Sequence, residues 1–228
     1  MDITKILTRR EIKAILDDLQ MKRRGSDWAF QALAIFRFSC CCGLRVSEIS
    51  GLNVADLKIL SERPHIKVRA VITKGPVRRS RIVPLWWDTG TLYDLRDWGA
   101  YRVDHGASPL DPLMCGMSRR KLGQRLNRRA LAKRWKVAIK CLGPERVSQL
   151  SIHCGRHSFC SHAIAVGRSL VDVMSAVGHK SLNTTSTYAH LVERDNVPDL
   201  YPFCPAIEPH QPGQPMLDWR RNMQKWVK

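Results

Sequence analysis

At 228 residues the chain has room for one large domain, or one domain with an appendage, against roughly 150 residues per domain, which excludes two full-sized domains. Its 44% hydrophobic and 25% charged residues exclude a disordered or collagen-like chain. Lys and Arg total 38 against 20 Asp and Glu, a formal charge of +18, which favours a polyanionic partner through counterion release: nucleic acid first, an anionic membrane second. The longest apolar stretch, residues 28–36, ends at Arg37 and falls short of the roughly 20 residues that span a bilayer. The first twenty residues carry Asp2, Lys5, Arg9, Arg10, Glu11 and Asp17 and lack the apolar core of a secretory signal, so the expected location is cytoplasmic, on the nucleoid when bound to DNA. Eight cysteines without such a signal read as reduced thiols, and Cys40, Cys41 and Cys42 as small buried hydrophobes. His153 and His157 share a helical face, but the intervening Arg156 would repel a dication, so neither a metal nor another cofactor is expected.

In chain order, Thr8-Arg9-Arg10-Glu11 is a capping box, and Ile12, Ile15, Leu16 and Leu19 continue it as a helix over residues 9–19. A second apolar helix covers residues 28–41 and ends at Gly43, where the missing side chain permits a sharp turn. Val46, Ile49 and Leu52 start a short third helix whose first residues include Arg45 and Glu48. From His65 the period changes to two: Ile66, Val68, Ala70 and Ile72 alternate, Lys74-Gly75-Pro76 turns, and Arg81-Ile82-Val83-Pro84-Leu85 returns. This is a β-hairpin whose tip carries Lys74, Arg78 and Arg79. A further helix fits residues 92–98.

Residues 119–136 hold nine basic residues and no acidic one. As one helix they place Lys121, Arg125, Arg128 and Lys136 on one face, with Leu122, Leu126 and Val137 beside it. That is a basic stripe suited to the DNA backbone, since a merely solvated face would carry both signs. A helix then runs from His153 to about Val166, Ser169 caps another that stops at Gly178, and Asn183 caps one that contains Tyr188. Six prolines in residues 198–215 forbid regular helix there, and Trp219, Met223, Trp226 and Val227 recur at helical spacing beyond them. The division expected is a domain over residues 1–195 and a Pro-rich tail over 196–228 whose terminal amphipathic helix docks on its own or a neighbouring domain.

Arg45, Lys74, His153, Arg156, His179 and Tyr188 lie beside glycines, turns or helix starts, and together they suit phosphodiester transfer. Two guanidiniums clamp nonbridging oxygens, histidines donate hydrogen bonds or take protons near neutrality, and a tyrosine hydroxyl is a nucleophile once cations stabilise its phenolate. A lysine on a hairpin tip can protonate a leaving oxygen.

The strings Gly43-Leu44-Arg45-Val46-Ser47-Glu48-Ile49, Thr73-Lys74-Gly75, His153-x-x-Arg156-His157, Gly178-His179-Lys180-Ser181 and Thr184-Thr185-Ser186-Thr187-Tyr188 follow in this order. The chain resembles the catalytic domain of the tyrosine recombinases, the phage-integrase family, over about residues 7–191. The fold implied is α+β, mainly helical, with a small antiparallel sheet near residues 65–85. The roles implied are Arg45 and Arg156 as the phosphate clamp, His153 as the proton-handling residue, and Lys74 as the general acid. The resemblance further implies His179 as the second phosphate-binding histidine, Tyr188 as the nucleophile, Glu48 as an orienting carboxylate and His157 as a packed histidine. Gly155 stands where the family usually has a large aliphatic, from which looser packing around Arg156 is expected. The activity implied is site-specific recombination through a 3′-phosphotyrosine, without ATP or metal, by protomers assembled on double-stranded DNA as a synaptic tetramer. The alternatives are a type IB topoisomerase-like enzyme and a noncatalytic DNA-binding regulator.

Overall fold

The computed structural model describes residues 3–73 and 78–179 together with Ser186. Lys74 and its turn, the helix expected after Asn183 with Tyr188, and the tail over 196–228 lie outside the described residues.

The domain is mainly helical with one small antiparallel sheet, as the sequence predicts. Helix α1 (Arg9–Lys22) opens on the expected capping box, with the Glu11 N–H donating to Thr8 Oγ1 and the Thr8 N–H to Glu11 Oε2. Helix α2 (Asp27–Phe36) continues into a π-helical segment, Arg37–Cys41, which closes with an i→i+5 bond from the Cys42 N–H to the Arg37 carbonyl at 3.0 Å. That widened turn carries Arg37 into the core. Fully buried, Arg37 donates to Asp94 (2.8 Å), Asp88 (3.4 Å) and Thr91 Oγ1 (3.1 Å), all on or beside helix α4 (Thr89–Asp104). Helix α4 thus extends well beyond the expected residues 92–98.

Strands β1 (Leu57–Lys58), β2 (His65–Val68) and β3 (Arg81–Pro84) pair antiparallel in that order. The register sets Ile66 opposite Val83 and Val68 opposite Arg81. Ile66, Val68 and Val83 are buried while Lys67 and Ile82 face solvent, so by the two-residue period Arg81 lies on the inward face. The strands are shorter than the alternation suggests, because Ala70–Ile72 tightens into a 3-10 turn.

Residues 119–136 do not form one helix. Arg119–Lys121 is a 3-10 turn, and the following residues fold back on 114–116 through bonds from Gly116 N to Gln124 O, Gly123 N to Gly116 O and Leu126 N to Met114 O. Gly123, at φ +75°, and Gly116, where a Cβ would lie 2.1 Å from the Lys121 carbonyl oxygen, permit this fold-back. Helix α5 (Arg128–Ala138) starts only after Asn127, which caps it, and buries Leu131, Trp135 and Ala138. Leu122 and Val137, expected on the apolar stripe, are exposed.

A short helix α6 (Pro144–Gln149), not expected from the sequence, precedes α7 (Ile152–Ala165). Helix α7 packs on the π segment and holds the N-terminal strand of chain, since Ser158 Oγ accepts from the Leu7 N–H at 2.8 Å and His162 Nε2 meets the Leu7 carbonyl at 2.6 Å. Gly155 does not loosen this packing. A Cβ there would sit 2.9 Å from Ser39 Oγ, so the glycine is what allows α7 to approach. Helix α8 (Leu170–Val177) ends at Gly178, as expected, in the left-handed conformation (φ +70°). Among the described residues the cysteines form no disulfides; Cys40, Cys41 and Cys42 are buried in the core. No helix of the described residues is long and apolar enough to cross a membrane.

Removing one partner of a buried ion pair leaves an uncompensated charge and costs about 3–5 kcal/mol. Asp94→Ala is therefore expected to lower the unfolding free energy by that order in urea titration. Asp17→Ala, which breaks only the exposed Lys13–Asp17 pair, is expected to leave it nearly unchanged.

Candidate active site

Four elements meet at the C-terminal end of α8. Gly43 ends the π segment at φ +64°, with no room for a Cβ, which would lie 2.5 Å from Phe159 Cδ1. This turn places Arg45 at the start of α3 (Val46–Gly51). Arg156 enters from the second turn of α7, Arg81 from the start of β3, and His179 follows Gly178.

The last carbonyls of α8 and its cap each accept from one guanidinium. Arg81 Nε donates to Ala176 O at 2.9 Å, Arg156 Nη2 to Val177 O at 2.7 Å, and Arg45 Nη2 to Gly178 O at 3.4 Å. These carbonyls lack intrahelical partners and form the negative end of the helix dipole, where cations are favoured. Arg156 also donates through Nη1 to Gly43 O at 2.7 Å, which ties α7 to the turn before Arg45.

Glu48 is fully buried between the arginines. Arg81 grips it through both terminal nitrogens (2.9 and 2.8 Å), and it accepts from the Arg45 N–H at 2.8 Å and from Arg45 Nη1 at 3.2 Å. Burial alone would raise its pKa. The Arg81 hydrogen bonds and charge, the Arg45 N–H and the Arg156 charge outweigh burial and hold it below the usual carboxylate range.

One carboxylate against three guanidiniums leaves the site cationic. Burial, then repulsion from Arg45, lowers Arg156 to about 10. Burial, then the charges of Arg156 and Arg45, pushes the His179 imidazole down to about 4. His157, half-buried one turn from His153, is lowered by burial, then by Arg156 and His153. His153 itself is exposed in the first turn of α7. Arg45 is the most accessible of the three arginines, its side chain 28% exposed against 10% for Arg81. Such a site suits a tetrahedral or phosphodiester anion that presents several oxygens to guanidinium groups.

The structure therefore brings Arg45, Glu48, Arg156, His157 and His179 together, with His153 on the adjoining turn; Lys74 and Tyr188 lie outside the described residues. Sequence reasoning missed Arg81. The signal was its parity with Val83 on a strand whose alternate residues face inward, a position where arginine needs a buried acceptor.

The residues expected to meet DNA divide in two. Arg78, Arg79, Lys121 and Arg128 are exposed. Arg125, also exposed, donates to Ser50 O (2.8 Å), Leu52 O (2.9 Å) and Asn53 Oδ1 (2.7 Å) at the end of α3, and the half-buried Lys136 donates to the Val147 and Ser148 carbonyls at the end of α6.

The domain is thus a helical fold that gathers two arginines and a histidine from separate motifs around one helix end. The chain belongs to the phage integrase family, which matches residues 5–194. It is 32% identical over 178 residues to the tyrosine recombinase XerC of Neisseria gonorrhoeae, covering 78% of this chain and 52% of that protein. To XerC of a Roseiflexus species it is 27% identical over 192 residues, covering 83% and 56%. The chain thus spans about half the length of the curated relatives it matches. Among solved structures, the XerH site-specific recombinase bound to difH substrate superposes with a TM-score of 0.63 at 23% identity, over 82% of this chain and 50% of that one. The integrase from mycobacterium phage Brujita does so with 0.53 at 19% identity, over 87% and 58%. These structures share the fold.

Two outcomes follow from the geometry. By NMR titration the free protein should show His179 changing protonation near pH 4, well below the ordinary imidazole value of about 6.5. Between these values the folded protein binds fewer protons than the unfolded chain. This contribution to stability is complete above the unfolded value and fades as pH falls toward 4. A midpoint at or above 6.5 contradicts the cationic site. Arg125→Ala should lower the melting temperature, because it leaves the acceptors at the end of α3 without their donor, whereas Lys121→Ala and Arg128→Ala should leave it unchanged.

Proposed function

We propose that the protein is a site-specific DNA recombinase that cleaves and rejoins strands through a 3′-phosphotyrosine. The observation that carries this reading is the convergence of Arg45, Arg156 and His179 on the end of α8, eleven residues before Tyr188 in the sequence. Family membership supports it, as do the tyrosine recombinases among the relatives.

In this reading Tyr188 Oη attacks the scissile phosphorus while His153 receives its proton. The phosphorus–O5′ bond breaks, and the departing 5′-oxygen takes a proton from Lys74. Arg45 and Arg156 neutralise the nonbridging oxygens as charge accumulates on them, and His179 donates a hydrogen bond to the same phosphate. Glu48 orients Arg45, and His157 packs behind the site. Return attack by a 5′-hydroxyl on the phosphotyrosine restores a phosphodiester and frees the tyrosine, so the covalent link conserves the bond energy and ATP has no part in the cycle. Recombination joins two duplexes, so the protein works as an oligomer on double-stranded DNA. Arg78, Arg79, Lys121 and Arg128 are exposed to meet the backbone, and the formal +18 charge draws the duplex in.

Incubation with nicked duplexes carrying the DNA that flanks its own gene should yield a denaturant-resistant protein–DNA adduct. Tyr188→Phe should bind these duplexes as well as the native protein and form no adduct. An adduct from the Phe variant would assign the nucleophile elsewhere. Lys74→Ala should cleave slowly, by roughly 10² to 10⁴-fold, and recover when sulfur replaces the bridging 5′-oxygen, because a thiolate leaves without a proton. Failure to recover would remove the lysine from the role of acid.

A further inference from the structure

We infer that Arg81 is a positioning residue of the active site, which fixes the Arg45 guanidinium through the buried Glu48 carboxylate and docks the base of the β-hairpin onto the end of α8. The inference rests on the proposed strand-transfer reading for its chemistry and on the geometry of Arg81 for its content.

Arg81 is the only guanidinium among the described residues that holds both oxygens of Glu48 and also caps α8, through separate nitrogens. A bidentate grip fixes the plane of a carboxylate as well as its position. Glu48 in turn holds the backbone N–H and Nη1 of Arg45, so the plane of Glu48 sets the direction in which Arg45 presents its remaining donors. Arg81 also lies flat against the helix cap, where a Cβ on Gly178 would fall 3.0 Å from its Cδ. Because Arg81 begins β3, the same contacts anchor the strand that pairs with β2. One side chain therefore joins the hairpin, the first arginine motif and the segment leading toward Tyr188.

The charged groups facing Glu48 are Arg45 from the start of α3, Arg81 from β3 and Arg156 from α7, with His179 in the same cluster. Without Arg81, Glu48 stays buried with fewer partners and protonates at higher pH, which releases Arg45.

The test is a double-mutant cycle of Arg81→Met and Glu48→Gln, read as the single-turnover rate of adduct formation on the nicked duplexes across pH. If Arg81 acts only as positive charge near the phosphate, the two substitutions act in opposite directions, Arg81→Met slowing cleavage and Glu48→Gln speeding it. Positioning predicts that both slow it, by up to about 10²-fold as expected for a small misplacement of a reacting group, and that the double variant is no slower than the slower single one. It also predicts that Arg81→Met loses activity at higher pH on the acid side than the native protein does, and that this shift disappears when Glu48→Gln is added. Arg81→Lys, which keeps the charge and the fold but not the bidentate grip, should be slowed as well, and it decides the matter if the Met variant does not fold. Opposite signs, losses that multiply, or a Lys variant as fast as the native protein would overturn the inference. If the native protein itself forms no adduct, the strand-transfer reading fails. The inference is then judged on the free protein, where Arg81→Met must displace the Arg45 Nε–H signal in NMR spectra and an unchanged signal overturns it.

Discussion

The C-terminal end of α8 is the point on which the rest of the site depends. A helix leaves its last carbonyls without partners, and here three of them face three guanidiniums drawn from α3, β3 and α7. Like charges would not gather there unaided. The carbonyl dipoles supply the negative potential, and Glu48 supplies the one full negative charge within the cluster. The arrangement fixes the arginines in the free protein, which under the proposed reaction leaves little reorganisation for the moment when charge develops on a phosphate.

Behind this cluster stands a second buried arginine network with a different purpose. Arg37 reaches its acidic partners only because the helix widens into a π turn, and it ties that turn to α4. Ser39, inside the same turn, accepts from Trp135 Nε1 at 2.8 Å and faces Gly155. The π segment is thus a hub against which α4, α5 and α7 all rest. Because α7 packs there without even a methyl group between, Arg156 is carried on a rigid support.

Local signals proved readable and nonlocal ones did not. The capping box at Thr8, the turns at Gly43 and Gly178 and the two-residue alternation around Ile66 each follow from a few adjacent residues, and the structure forms them as expected. The six residues singled out for chemistry came from short strings of the same kind, and the four that are described lie at or beside one place. Arg81 was hidden because its partners are 33 and 95 positions away, although its inward parity on β3 marked it. The stretch after Arg119 misled for another reason. Its charges fit a helical stripe, but Gly116, three residues before the stripe, accepts the chain returning through Gly123 and delays the helix to Arg128. The expected loosening at Gly155 failed likewise, since the space around a glycine is set by what packs against it.

The central claim is that the three arginines are held on the end of α8 in the free protein. Arginine side-chain Nε–H signals, assigned in the protein without DNA, test this most directly. The account predicts separate, well-dispersed signals for Arg45, Arg81 and Arg156, with Arg81 the slowest to exchange with solvent because its Nε–H is bonded to Ala176 O. Three signals averaged at the position of exposed arginines and exchanging equally fast would contradict it.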